Sequence, residues 1–281
     1  MSILLAAASH VAALGRALET TSEGGKKVFE SPTKNDFNFP GIFGGHDGWF
    51  TKPVLIVMLM TVVCFVFYYA SSRNAKIVPG RLQFAGESLY GFIRNDVALD
   101  AIGHDGLKWA PYLATLFSFV ALNNVAGIIP VLQIPATSHI AFPLVLAVFS
   151  WLIYMYLGIS KHGAWGYFRD MMFPPGIPWA VYILLAPIEF FSTVIVRPLT
   201  LMLRLTFNMF AGHLVLVLFI SAADYLLLDY SNTAVGAPVG VLSLLLSLVL
   251  TGFEAFVQLL QAYVFTLLTA LYIGGALADE H

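Results

Sequence analysis

The stretch Arg197-Pro-Leu-Thr-Leu-Met-Leu-Arg204-Leu-Thr-Phe-Asn208-Met-Phe-Ala-Gly-His213 places two arginines, an asparagine and a histidine inside an otherwise apolar run. A charge near the centre of a bilayer costs roughly 2.5–3.5 kcal/mol on insertion scales. Such a residue is retained where a partner, a cavity or a task offsets that cost.

The apolar context is general. Of 281 residues, 59% are hydrophobic and 11% charged, about half the charge fraction of an ordinary soluble domain. The apolar residues fall into several long segments, so the expected fold class is an all-α membrane protein with about five transmembrane helices and the lipid bilayer as its solvent. A net charge of -2 argues against a nucleic-acid partner. The single cysteine, Cys64, sits in a hydrophobic run and has no second thiol to pair with. No HExxH or GxSxG arrangement occurs, and neither a metal nor a cofactor is expected.

Residues 1–52 read as an extramembrane arm and 53–281 as the membrane domain. Spans are expected at about 53–71, 109–129, 143–160, 179–221 and 238–276, with an amphipathic surface helix at about 81–100. Arg73, Lys76, Arg81, Arg94 and Lys108 make the loop after the first span the most basic, which assigns it to the cytoplasm. The link Pro130 to Ala141 has no Lys or Arg and is assigned outside; the next, with Lys161 and Arg169, lies inside. The chain then starts outside and ends in the cytoplasm.

The last two apolar segments are too long for upright spans. About 40 residues of helix extend roughly 60 Å, twice the thickness of the hydrocarbon core. Neither has a polar turn at its middle, so two long, strongly tilted helices are expected rather than four short ones. Each carries a polar stripe in steps of three or four residues: Glu189, Thr193, Arg197, Thr200, Arg204, Asn208 and Gly212 on the first, and Ser243, Ser247, Thr251, Glu254, Gln258 and Gln261 on the second. Hydrophilic edges in lipid turn toward each other or toward another protein. Ser and Thr at such places often serve only to glue helices together, but Arg204 and Glu254 lie too deep to reach the interface by snorkelling. His213, nine residues beyond Arg204, falls on about the opposite helix face.

The 197–213 run resembles the signature of the a subunit of rotary F-type ATP synthases, and Leu259-Leu-Gln-Ala-Tyr-Val-Phe-Thr-Leu-Leu268 is similar to the last helix of that family. The resemblance extends from about residue 50 to the C-terminus. It implies ATP synthesis and proton transport through a stator subunit that is itself non-catalytic, with a ring of c subunits and b-type peripheral stalk subunits as partners. It implies that Arg204 is the essential arginine facing the ring carboxylate, and that Asn208 and Gln261 are polar residues beside it. Glu254 with His213 would form an outer proton half-channel, and Glu189 would line an inner one. Some relatives carry a glutamate at the position of His213 and a histidine at that of Glu254, so the pair looks exchanged here. Gln258, Arg197, His139 and Asn124 are further candidates; at 123–124 the chain has Asn-Asn where some relatives place an aspartate. A bacterial plasma membrane is expected, with an organelle inner membrane as the alternative. A stand-alone secondary transporter or ion channel is the rival reading; transporters often show repeated halves, and no internal repeat is visible.

Overall fold

A computed structural model describes residues 51–73, 75–129, 136–173, 179–229 and 233–278. Nearly all of the 1–52 arm, the first half of the 130–141 link and the Pro174-Pro175-Gly176 segment lie outside them. The described residues are almost entirely helical, and no strand occurs among them. The chain is an all-α membrane protein: among the described residues four helices are long and apolar enough to cross a bilayer, and a shorter apolar helix accompanies them.

Helix α1, Lys52–Ser72, begins with Pro53 in its first turn, where the missing N–H costs nothing and the fixed φ favours helix. Tyr68 ties it to α3, Ala110–Val125. The two hydroxyls of Tyr68 and Ser118 lie 2.6 Å apart, and Tyr68 also donates to the Ala114 carbonyl at 3.1 Å. Between these helices, α2, Arg81–Phe92, continues through a π-helical stretch, Ile93–Leu99, and a last turn, Asp100–Ile102. The path is helical throughout the stretch at about 81–100. Its exposed Leu82 and Phe84 and buried Ile93, Val97 and Ala98 give it one outer and one inner apolar side.

Helix α3 is shorter than the span expected at 109–129. Its 16 residues cover about 24 Å, less than the hydrocarbon core. Asn123 and Asn124, at its end, are fully buried, and tight turns bonded from Gly127 N–H to Asn124 O and from Ile128 N–H to Val125 O follow. Non-helical backbone is tolerated at membrane depth where protein covers it. Helix α4, Ala141–Met172, is broken at Gly163, whose φ of 73° is outside the helical range. This break sits just past the expected end of the third span, and only glycine takes such a φ without steric cost.

Both long apolar segments are single helical paths. Helix α5, Trp179–Phe191, runs through a π turn, Ser192–Val196, into α6, Arg197–Asp224, and a second π turn, Tyr225–Asp229. Helix α7, Thr233–Leu277, is unbroken for 45 residues; it starts before Pro238, where the sequence suggested, because proline is accepted near a helix start. Each path is roughly 70 Å long, more than twice the hydrocarbon thickness. Neither fits within it upright.

The core lies where α6, α7, α3 and α4 meet. Leu116, Val120, Ala147, Leu201, Met202, Leu205, Ala262 and Phe265 pack together there. Near the C-terminal end, Gly274 lets α7 approach the chain so closely that a Cβ would come within 2.4 Å of the Ala101 carbonyl oxygen. Lys161 donates to the Leu277 carbonyl at 2.5 Å and fastens that end to α4. Large apolar side chains cover the outside instead, among them Phe65, Phe149, Leu245 and Phe253. Such a surface suits lipid or a membrane partner, not water.

Candidate functional site

The two polar stripes have different fates. On α7, Ser243, Ser247, Glu254, Gln258 and Gln261 are all buried, so this edge faces the protein. On the α5–α6 path Thr193 is buried, whereas Thr200, Arg204 and Asn208 are exposed. The sequence treated the two edges alike; packing turns one inward and leaves the Arg204 part of the other on the surface.

Arg204 makes no ion pair or hydrogen bond among the described residues. One turn further along α6, the Asn208 amide donates to the Gln261 Oε1 at 2.7 Å, joining the exposed side of α6 to the inward edge of α7. This bond brings together two of the residues expected beside the arginine.

Glu254 is 6% exposed. Its Oε1 accepts from the Gln258 amide at 3.2 Å, while its Oε2 is buried with no hydrogen bond among the described residues. Gly212 of α6 lies directly against the carboxylate: a Cβ there would stand 3.1 Å from Oε1. His213 follows Gly212 in the chain and is half-buried. Buried carboxylates are costly unless they are hydrogen-bonded or neutral, and among the described residues Gln258 meets one of the two Glu254 oxygens.

The polar chain continues away from Glu254. Gln258 is fully buried, and its main-chain carbonyl accepts from the Asn124 amide at 3.2 Å. The Asn124 Oδ1 in turn accepts from the Thr137 hydroxyl at 2.8 Å. Thr137 leads into Ser138 and His139, at the mouth of the α3–α4 link. His139 is half-buried, its Nε2 makes no hydrogen bond among the described residues, and burial holds its imidazole below the usual pKa. Thr137, Asn124, Gln258 and Glu254 thus form a continuous line of polar groups from that link into the α6–α7 interface.

Asn124, a further candidate at a place where some relatives have an aspartate, stands at the centre of this line. Thr137 carried no signal in the sequence at all, since nothing local marks a loop threonine as the partner of a helix asparagine. Arg197 lies apart: it is half-buried with its guanidinium 5.3 Å from the Tyr272 ring centroid, a cation–π contact with α7. Glu189 is half-buried on α5 and makes no hydrogen bond or ion pair among the described residues.

Fold and site together define a class: a polytopic helical membrane protein with an exposed cation on a long apolar helix, unpaired among the described residues, and a buried acidic polar line on the helix packed against it. Residues 53–274 match the family described as ATP synthase A chain. The ATP synthase subunit a of a Nocardioides species is 48% identical over 263 residues, covering 90% of this chain and 95% of the relative. That of Frankia alni is 46% identical, covering 90% and 88%, and that of Streptomyces lividans 41%, covering 90% and 89%. The chain belongs to the ATP synthase A chain family.

Proposed function

We propose that this chain is the stator subunit of an ATP synthase membrane sector. It provides two offset aqueous half-channels that pass protons to and from a carboxylate on a rotating ring of c subunits. The observation that carries the reading is Arg204, a cation exposed on α6 with no acidic partner among the described residues, at the edge of the buried Glu254 line.

The chemistry follows from charge and solvation. A carboxylate facing lipid must be neutral and can ionise only in a polar niche. Arg204 supplies that niche. A guanidinium stays protonated under nearly any condition, so it cannot carry the proton through. It attracts the ionised ring site and keeps the half-channels apart, so protons cross only when the ring turns. Glu254 and His213, with Asn208 and Gln261 near the inner end, pass protons from outside to the ring; His139, Asn124 and Gln258 line the approach. Glu189 lines the exit to the cytoplasm, with Arg197 on the same helix path. Each proton releases about 2.3 kcal/mol per 100 mV, which drives rotation, and this chain does no ATP chemistry itself. The N-terminus lies outside and the C-terminus in the cytoplasm of a bacterial plasma membrane, with b-type subunits holding the stator in place.

Inverted vesicles carrying the whole complex test this directly. ATP addition is expected to acidify their interior in sodium-free buffer. Acidification that needs sodium, or that persists in a complex lacking this chain, overturns the proposal.

A further inference from the structure

The junction of α5 and α6 departs from α-helical geometry for a reason visible in the sequence. Pro198 has no N–H, so it cannot donate to the carbonyl four residues back. The turn before it widens: Ser192–Val196 is π-helical, and the Arg197 N–H donates to the Ser192 carbonyl, five residues back, instead of to Thr193. The Thr193 carbonyl loses its α-helical donor, and its five-residue partner would be Pro198, which has none to give. A buried carbonyl left this way must be satisfied elsewhere. Tyr154 of α4, 1% exposed, donates its hydroxyl to the Thr193 carbonyl at 2.8 Å.

We propose that the Tyr154–Thr193 hydrogen bond clamps this π turn, and that the turn sets the rotation of Glu189 relative to the arginines of α6. A single π turn absorbs one residue. Eight positions separate Glu189 from Arg197, which in an unbroken α-helix would set them about 80° apart. With one residue absorbed they are about 20° apart, the same small offset that separates Arg197 from Arg204. Without the π turn, Phe190 would occupy the aligned place and the carboxylate would point away. Tyr154 is therefore a positioning residue for Glu189. Its functional meaning rests on the half-channel reading above, whereas the register itself does not.

An internal ruler is available, because the rings of Phe190 and Phe168 stand 6.3 Å apart between centroids. In the assembled complex, in a Cys64→Ser background, Phe168→Cys is paired with either Phe190→Cys or Phe191→Cys and bridged with a short bifunctional thiosulfonate. With Tyr154 present, the 168–190 bridge is expected to form faster than 168–191. Tyr154→Phe should shift the ratio toward 191 by roughly fivefold, the value of one net hydrogen bond. Deleting Val194 as well removes the extra residue, so the ratio should return to 190 without the clamp. An unchanged ratio in Tyr154→Phe overturns the clamp. If Tyr154→Phe does not assemble, the Val194 deletion alone decides: bridging that stays at 190 supports the absorbed residue, and bridging that moves to 189 overturns it. ATP-driven acidification is measured on the same Tyr154→Phe complexes, without the added cysteines. A moved bridge with unaltered pumping and unaltered dependence on cytoplasmic pH leaves the register standing and removes Glu189 from the proton path.

Discussion

Arg204→Ala abolishes ATP-driven proton transport while the complex still assembles: this is the largest effect expected of any single substitution in the chain. At an effective dielectric constant near 20, two unit charges about 4 Å apart attract by about 4 kcal/mol. Loss of that attraction for an ionised ring carboxylate corresponds to roughly 10³-fold in rate. The substitution breaks no hydrogen bond or ion pair among the described residues, and the side chain is exposed, so stability should change by no more than about 0.5 kcal/mol. The measurement is acidification of inverted vesicles with subunit stoichiometry checked on the purified complex. A second signature is passive: with the fixed cation gone, protons should leak from one half-channel to the other without ATP. Coupled synthesis at the unsubstituted rate in Arg204→Ala would remove this residue from the mechanism.

Glu254→Gln comes next. Glutamine keeps the shape and leaves an oxygen to accept from Gln258, so the 3.2 Å contact and the fit against Gly212 survive. The ability to take up and release a proton does not. Positioned proton-transfer groups contribute typically 10²–10⁴-fold, so proton uptake from outside should slow by roughly 10²-fold, with its dependence on external pH flattened. Flux in both directions, followed with pH-sensitive dyes on either side of the membrane, separates this from a general loss of complex. If neither the flux nor its pH dependence changes, the line through Asn124 and Gln258 is packing and the relay lies elsewhere.

Much of this was legible in the chain itself, and the reasons are physical. Charged residues in apolar runs are costly, so Arg204 and Glu254 stand out from sequence alone. Steps of three and four residues report a helix face wherever they occur, so both polar stripes were visible. Length against bilayer thickness distinguished two long helices from four short ones. What escaped depends on contacts distant in sequence. The bond from Asn124 to the Gln258 carbonyl spans 134 positions, and no local pattern encodes it. Hydropathy made α3 a full span, although its buried Asn-Asn end is closed by protein rather than by further helix. The π turn before Pro198 was missed because proline announces a disturbance without saying which geometry absorbs it. That depends on Tyr154, on another helix.

The most direct test concerns what touches the exposed side of α6. Phe207 is 59% exposed and Ala211 is also on the outside, whereas Leu205 and Met209 are buried. Single cysteines at 207 and 211, in a Cys64→Ser background, are to be cross-linked in the intact complex. Bridges are expected to a small two-helix subunit close to its membrane carboxylate, with cysteines at 205 and 209 forming none. Positions 207 and 211 reacting only with lipid-phase reagents, with no rotor subunit captured from either, would contradict it.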